Sequence, residues 1–295
     1  MVKHVLSFVF FLVVSHALIA QDSSLLKMLD DSLLAEGKTN FVKSTFKATQ
    51  IINTPTVEAP PGKGLQFLIM HRFGRVNEGA YALFGLDNAS IRFGLDYGID
   101  DRFSIGIGRS SLDKTYDGSF KWKLLQQTTG RMPVSVSLYA LATNTTLRYT
   151  DKPYIKGKYR MAYQSSLLIA KKFNSNLSLQ ITPSWLHFNL VPTVLDKNDI
   201  MTLGIGGRMK LSKRMSINAE YNYVPPDQVV STNIHNSLSF GIDLETGGHV
   251  FQLIFSNSEG MIGPAYLTKT PGEWDNGDIF FGFNISRAFN MKKNK

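Results

Sequence analysis

The stretch that decides the fold is residues 89–110, which read ASIRFGLDYGIDDRFSIGIGRS. In its first half one alternating set of side chains is apolar and the other is mostly small or polar. The apolar set is Ile91, Phe93, Leu95, Tyr97 and Ile99. After the short turn at 98–102 the alternation resumes, with Phe103, Ile105 and Ile107 opposite small residues. Apolar residues at a period of two predict strands with one apolar face, and the tight turn predicts an antiparallel hairpin.

The same alternation recurs from Leu65 to the end of the chain, and its connections alternate in length. The tight connections are 98–102, 173–177, 212–214 and 245–248, and the long ones are 74–88, 143–159, 225–236 and 258–277. Many segments reach nine residues or more, whereas soluble strands average about five or six and a tilted membrane-crossing strand needs about nine to eleven. Short turns on one side and long loops on the other are typical of an outer-membrane barrel. A soluble secreted β-sandwich is the alternative at the level of the fold.

We predict an all-β protein, a transmembrane antiparallel β-barrel of about twelve strands. The expected strands are 65–73, 89–99, 102–110, 117–126, 132–142, 160–173, 177–190, 200–212, 214–224, 237–245, 249–257 and 278–289. An even number is usual for bacterial barrels and returns both ends of the barrel to the periplasm. Residues 45–52 form a weaker strand-like piece, and their pairing with the wall would make the count thirteen.

The N-terminus has the pattern of a secretory signal peptide. Lys3 and His4 precede an apolar run, which ends in small residues, and the run is too short for a good membrane anchor. Cleavage is expected after Ala20, with Ala17 as the alternative and a retained anchor as the opposing interpretation. We therefore divide the chain into a signal peptide (1–20), a periplasmic N-terminal segment with a short amphipathic helix near 23–36 (21–63), the outer-membrane barrel (64–289) and a periplasmic tail (290–295).

Composition excludes several classes of protein and site. Cysteine is absent, which rules out disulfides and thiolate metal sites. The mean hydropathy of −0.08 does not fit a bundle of transmembrane helices. The net charge of +9 is spread over many segments without a long basic helix. For an exported protein we expect membrane lipid and lipopolysaccharide as counter-ions, and we expect neither nucleic acid nor a cofactor.

Five segments of the sequence resemble a known family. They are TFKATQIIN (45–53), FLIMHRFG (67–74), GAYALFGLDNASIRFGLDYGIDDRFSIGIGRSS (79–111), DKTYDGSFKWKLLQQ (113–127) and GEWDNGDIFFGFNISRAF (272–289). Together they look like a Bacteroidota β-barrel family of unknown function, over roughly residues 46–289. The resemblance implies an outer-membrane barrel and no established activity. It also implies that the gene is often encoded near those of periplasmic polyisoprenoid-binding proteins and c-type cytochromes, which suggests respiratory or lipid-related physiology. The helix near 23–36 and the segment 21–63 suggest a periplasmic protein partner.

Charged side chains on the glycine-rich parity are expected to line the lumen, because polar groups in hydrocarbon are costly. The candidates are Arg72, Arg92, Asp96, Lys121, Lys123, Arg208, Lys210, Glu220, Asp243 and Glu245. They fit either a polar path with a cationic bias or a lumen filled by its own ion pairs. A barrel of about eight strands is filled by side chains and one of sixteen leaves a channel, so twelve strands leave both interpretations open. Residues 21–63 could supply a plug or lid.

No catalytic or metal-binding constellation is evident. The histidines are scattered, and Ser184 faces opposite to His187 on one strand, so the two cannot act as nucleophile and base. Asp113, Asp117 and Asp275 could bind calcium, but such acids are more often merely solvated. We therefore expect neither an enzyme nor a resident metal.

Three other regions carry predictions. The loop at 74–88 is unusually apolar, so Tyr81, Leu83, Phe84 and Leu86 are expected either to enter the barrel mouth or contact a partner, or to pack on the rim. The loop at 258–277 is similar and carries the same alternatives. Trp274 is expected at the level of the headgroups. Phe289 ends the last strand and resembles the recognition signal of the barrel-assembly machinery. On that strand Arg287 shares the lipid-facing parity and Phe280 the lumenal parity.

The leading interpretation is a narrow transport or diffusion barrel for small polar or anionic solutes. The alternative is a structural or partner-binding barrel that docks a periplasmic lipid- or electron-transfer protein. An outer-membrane enzyme ranks third, because no residue constellation supports it.

Overall fold

The computed structural model describes residues 40–148 and 150–291, and twelve strands in it close into an antiparallel barrel. The predicted signal peptide, the predicted helix near 23–36 and most of the predicted tail lie outside the described residues. The strands are β1 Gly64–Arg75, β2 Ala89–Gly98, β3 Phe103–Ser110, β4 Thr115–Leu125, β5 Ser135–Thr145, β6 Met161–Lys172, β7 Leu177–Phe188, β8 Asp199–Lys210, β9 Met215–Tyr223, β10 Ser237–Thr246, β11 His249–Ser256 and β12 Phe280–Asn290.

Every strand pairs with its neighbours in the chain, and β1 closes the barrel against β12. In that closing pair Leu65 lies opposite Phe289 and Met70 opposite Asn284. The predicted twelve-stranded barrel is therefore confirmed. The β1–β12 register shifts between Arg72 and Arg75, where the pairing is locally irregular.

Burial in the barrel wall is inverted relative to a soluble protein. On β7, Ser178, Gln180 and Thr182 are buried, whereas Leu179 and Ile181 on the alternate face are exposed. The same inversion runs along β8, where Thr202 is buried and Leu203 is exposed. A protein surrounded by water would not have this pattern, because the hydrophobic effect favours burial of apolar side chains. The exposed apolar side chains therefore face the hydrocarbon of the membrane, and the polar side chains that alternate with them face the lumen.

The two ends of the barrel differ. The turn end carries the chain termini of the barrel and the connections 99–102, 126–134, 173–176, 211–214 and 247–248. The loop end carries the connections 76–88, 111–114, 146–160, 189–198, 224–236 and 257–279. Short 3-10 segments lie in these loops at Val76–Glu78, Ala80–Gly85, Leu112–Lys114 and Gly157–Arg160, and a single-turn helix, α1, spans Gly263–Thr268. No helix among the described residues is long and apolar enough to cross a membrane.

Residues 45–58, which we call the plug, lie inside the barrel rather than in its wall. Its strand-like piece does not pair with β1, so the count stays at twelve. Instead the plug turns on itself through a bridge between Gln50 and Pro55. Phe46, Ile51 and Ile52 are at most 3% exposed. The Pro-Pro-Gly segment then leads out of the lumen, and the Lys63 N–H donates to Gly98 O over 2.7 Å at the turn end.

Candidate functional site

Glu220 on β9 holds the tip of the plug. Its carboxylate accepts three successive backbone N–H groups, from Ile52 (3.2 Å), Asn53 (2.9 Å) and Thr54 (3.0 Å). Consecutive N–H groups in a turn form a concave site that suits an anion, and buried N–H groups need partners. The single carboxylate therefore satisfies a turn that would otherwise be costly to bury.

Arg72 on β1 holds the same tip from the side. Its Nη2 donates to Asn53 Oδ1 over 2.8 Å, and its Nη1 donates to Asn284 Oδ1 over 3.1 Å. The Arg72 side chain is fully buried. An acid and a base from different strands thus bind adjacent groups of one turn, so the plug has a defined position in the lumen.

Neutral amide side chains that face the lumen also form hydrogen bonds with the plug backbone. Gln180 accepts from Val57 N (3.1 Å) and donates to Pro55 O (2.7 Å). Gln252 Nε2 donates to Ile51 O and Asn284 Nδ2 donates to Ile52 O, each over 2.9 Å. The sequence analysis missed these residues because it considered only charged side chains. Their shared inward parity was the signal that could have found them.

The ends of the plug are bound by charged residues. The Lys121 ammonium on β4 donates to Thr56 O (2.7 Å) and Glu58 O (2.6 Å). Nearer the turn end, Lys47 of the plug lies 3.2 Å from Glu245, which also pairs with Arg208 at 2.6 Å. Five of the predicted lumen-lining residues therefore either bind the plug directly or pair with a group that does.

Apolar contacts between the plug and the wall add to these hydrogen bonds and ion pairs. Phe46, Ile51, Ile52 and Val57 of the plug form one buried cluster. Their partners are the inward-facing Leu168, Ala170 and Ile254 of the wall. Burial of such side chains contributes about 25 cal/mol per Å² of apolar area removed from water. The plug is therefore packed as a small core inside a polar barrel.

The other predicted lumenal residues also lie on the inward parity. Arg92 forms a bidentate pair with Asp117, at 2.9 Å and 2.5 Å, and Asp96 interacts with Arg92. Asp243 accepts hydrogen bonds from Asn218 and Gln252. Lys123 and Lys210 are half-buried at the turn end. These groups stabilise the wall, whereas the neighbouring residues described above make the contacts with the plug.

The loop between β11 and β12 closes the opposite side of the lumen. We call residues 257–272 the cap. Its Met261, Tyr266 and Leu267 are at most 3% exposed, and the Tyr266 side chain interacts with that of Thr54 in the plug. The sequence left open whether this loop enters the mouth, contacts a partner or packs on the rim, and its apolar residues fold into the mouth. They do so because the cap supplies the apolar surface that the polar wall lacks.

A cavity of about 590 Å³ opens beside the cap at the loop end, and we call it the vestibule. Its lining includes Phe188 and Ile200 of the wall, Met261 of the cap and the loop residues Lys152 and Lys197. This is the size and composition of a small-molecule site, which is mostly apolar with a few polar groups. Every loop-end connection except 76–88 contributes to it.

Asp196 joins two of the loops around the vestibule. Its carboxylate accepts N–H groups from Val230 (2.8 Å) and Ser231 (2.9 Å), and it also accepts from Thr193 N and Oγ1. The hydrogen bonds, first that of the Ser231 N–H, hold the pKa of Asp196 well below its usual value. This acid is therefore engaged by its own loops.

The proposed calcium-binding acids do not come together. Asp117 is buried in the wall and pairs with Arg92, whereas Asp113 lies 2.7 Å from Lys269. Within the described ranges, no group of three acidic or histidine side chains could hold a metal ion. Ser184 donates or accepts a hydrogen bond with Ser166 inside the lumen, whereas His187 contacts Asp199 on the exposed side.

The remaining predictions concern the surface. Tyr81 is fully exposed, whereas Leu83, Phe84 and Leu86 are about half exposed. Gly85 holds this loop close to Gly74, where a Cβ would meet backbone atoms at 2.5 Å. Trp274 packs edge-on against the outward Phe240. On β12 the Arg287 guanidinium lies over the exposed Phe289 ring, and Phe280 is buried on the lumenal parity.

A closed barrel with an apolar exterior and a filled polar lumen defines a membrane β-barrel protein. The chain belongs to the family of membrane-bound beta barrel domains designated DUF5777, which it matches over residues 46–289. That range covers the plug from Phe46 onward, the whole wall up to Phe289, and the cap. No curated protein matches this sequence.

Several solved structures match this chain at low sequence identity. The NanC porin matches with a TM-score of 0.46 and 7% identity, over 76% of this chain and 98% of the porin chain. The KdgM porin matches with a TM-score of 0.45 and 8% identity, over 76% and 99%. LpxR from Salmonella typhimurium matches with a TM-score of 0.38 and 9% identity, over 77% and 99%. These likenesses concern the fold alone.

Proposed function

We propose that the protein is an outer-membrane transport barrel for small polar or anionic solutes, gated by its own N-terminal plug. The observation that carries this proposal is the way the plug is held, with Glu220, Arg72, Gln180 and Lys121 bound to its backbone and side chains. A purely structural barrel could fill its lumen with wall side chains. Here the wall instead presents a polar surface to a separate segment of the chain, the plug.

Such a plug can be exchanged for solvent. A hydrogen bond between neutral groups contributes only about 0.5–1.5 kcal/mol net and one to a charged group about 1.5–3 kcal/mol, because water replaces the protein partner when the bond opens. The plug is continuous with β1 through the 59–63 segment at the turn end. It can therefore leave the lumen towards the periplasm without breaking a strand pairing. The proposal includes no enzymatic step.

The test is single-channel conductance in planar bilayers, together with solute uptake into liposomes. The full chain is compared with a variant that lacks residues 21–58. Gating by the plug requires low, intermittent conductance in the full chain and larger, steady conductance without the plug. If removal of the plug leaves conductance and uptake at the level of protein-free bilayers, transport is wrong and a structural or partner-binding barrel is favoured.

A cross-link provides the matched control, because the chain has no natural cysteine. An ideal Cβ on Gly241 lies 3.4 Å from Ile52 Cγ1, which is compatible with the short reach of a disulfide. The I52C/G241C variant should be silent when oxidised and should conduct again when reduced. Each single-cysteine variant should conduct equally under both conditions.

A further inference from the structure

We propose that the vestibule binds a small organic anion with an apolar body, of the class of a medium-chain fatty acid or an aromatic carboxylic acid. This inference names the solute class of the proposed transport function and in that respect rests on it. Binding at the vestibule can nevertheless be measured without any transport.

The apolar part of the ligand is indicated by the cavity lining. Phe188 and Ile200 of the wall, Met261 and Ile262 of the cap, and Val229 of the neighbouring loop all border the same 590 Å³ space. Cavities that bind small molecules typically measure about 300–1,000 Å³ and are mostly apolar. A solute with a hydrocarbon or aromatic body therefore fits this lining better than a sugar does.

The anionic part is indicated by the charges around the rim. Two acids border the vestibule, and both are already engaged: Asp113 with Lys269 at 2.7 Å, and Asp196 with the N–H groups of its own loops. Lys152 and Lys197 border it as well, are exposed, and have no acidic partner among the described residues. Two ammonium groups beside an apolar space thus offer a carboxylate its counter-charge.

The place of the vestibule in the barrel is also consistent with capture of a solute. Its inner side is formed by the cap, and the cap residue Tyr266 interacts with Thr54 of the plug. A ligand in the vestibule would therefore contact the element that separates it from the plug. The cap thus borders the vestibule on one side, and its Tyr266 reaches the plug on the other.

The test uses purified protein in lipid nanodiscs, titrated calorimetrically with octanoate, 1-octanol and acetate, with empty nanodiscs as the blank. We expect octanoate to bind at least about fivefold more tightly than either 1-octanol, which lacks the charge, or acetate, which lacks the apolar body. Octanoate that binds no better to loaded than to empty nanodiscs would overturn the proposal. Equal affinities for octanoate and 1-octanol would overturn its anionic part.

Two sets of variants locate the site. The double variant K152Q/K197Q should weaken octanoate binding about fivefold and leave 1-octanol binding unchanged. The matched control K114Q/K158Q removes the same charge from exposed loop-end lysines outside the vestibule lining and should change neither. Equal effects of the two double variants would contradict a site at the vestibule.

The result is separable from the transport proposal. Octanoate binding without conductance in the plug-free variant would retain the vestibule site and reject gated transport. Conductance in the plug-free variant without octanoate binding would retain gated transport and reject the vestibule site.

Discussion

Glu220 is the residue on which the position of the plug depends most. One buried carboxylate accepts the N–H groups of Ile52, Asn53 and Thr54. Loss of a charged acceptor leaves buried donors unsatisfied, at about 1–3 kcal/mol for each group left without a partner. A single substitution at this position should therefore release the plug while it leaves the strand pairing of β9 intact.

The first prediction concerns the E220A variant. We expect the plug to become susceptible to added protease in the purified barrel, at least about tenfold faster than in the wild type, because the tip loses its shared acceptor. The measurement is the rate of cleavage within residues 45–58, followed by mass spectrometry. Unchanged cleavage would mean that the remaining amide contacts hold the plug alone.

The matched control for this prediction is D117A, which removes another buried lumenal acid. Asp117 pairs with Arg92 and makes no hydrogen bond to the plug. Loss of one partner from a buried pair costs about 3–5 kcal/mol, because the other charge is left uncompensated. D117A should therefore lower the unfolding temperature of the barrel in detergent, and the plug should remain protected as long as the barrel is folded.

At the scale of elements, the Asp196 side chain and a backbone hydrogen bond from Lys197 N to Gln228 O join two of the loops around the vestibule. The β7–β8 loop carries Asp196, and the β9–β10 loop supplies the N–H groups of Val230 and Ser231. Loop backbone at a barrel mouth has few regular partners, so one carboxylate can fix the distance between two loops. We call the hydrogen bonds of Asp196 to Val230 and Ser231 the clamp, and the shape of the vestibule depends on it.

The second prediction therefore concerns D196A. Amide hydrogen exchange at Val230 and Ser231 should accelerate about tenfold or more, because both lose their acceptor. The control D199A changes the first residue of β8, whose carboxylate contacts His187 and Trp185, and should leave both amides protected. Equal protection in D196A and the wild type would show that the clamp is dispensable.

The pH dependence of the clamp has a definite sign. The pKa of Asp196 lies below its usual value, which is about 3.9. A depressed pKa means that the stabilisation is complete above the usual value and is lost as the pH falls through the lower folded value. In the wild type, protection of the two amides, corrected for intrinsic exchange, should stay constant from pH 8 to about pH 5. A loss of protection between pH 7 and pH 5 would contradict this assignment.

At the scale of the whole molecule, the barrel has two chemically different ends. The turn end carries the route of the plug and the chain termini of the barrel, and the loop end carries the cap, the vestibule and the exposed side chains of Tyr81 and Phe84. In an outer membrane the long loops of such barrels face outwards and the short turns face the periplasm. The vestibule would then face the medium.

The third prediction tests this orientation with cysteines placed in the cysteine-free chain. Tyr81→Cys at the loop end should react with a membrane-impermeant maleimide on intact cells, because residue 81 is fully exposed. Lys213→Cys in the β8–β9 turn should react only after the outer membrane has been permeabilised. Labelling of both positions on intact cells would contradict the insertion of the barrel in this orientation.

The sequence by itself determined the wall of this protein. The period of two, the length of the segments and the alternation of short and long connections predicted twelve strands, and the parity rule assigned Arg72, Lys121 and Glu220 to one face. These features are local, since each strand presents its side chains alternately regardless of what fills the barrel. The family match over residues 46–289 covers the same extent as the predicted barrel together with its plug.

Only the tertiary structure decided what fills the lumen. Residues 45–52 look like a weak strand in the sequence, and nothing local distinguishes a wall strand from a plug. The sequence likewise left open whether the cap enters the mouth or packs on the rim, because apolar loop residues do not reveal where they will be buried. Glu220 contacts residues 166 to 168 positions away along the chain. Such contacts arise only when the barrel closes, because closure creates the enclosed polar space in which the plug's backbone groups must find partners.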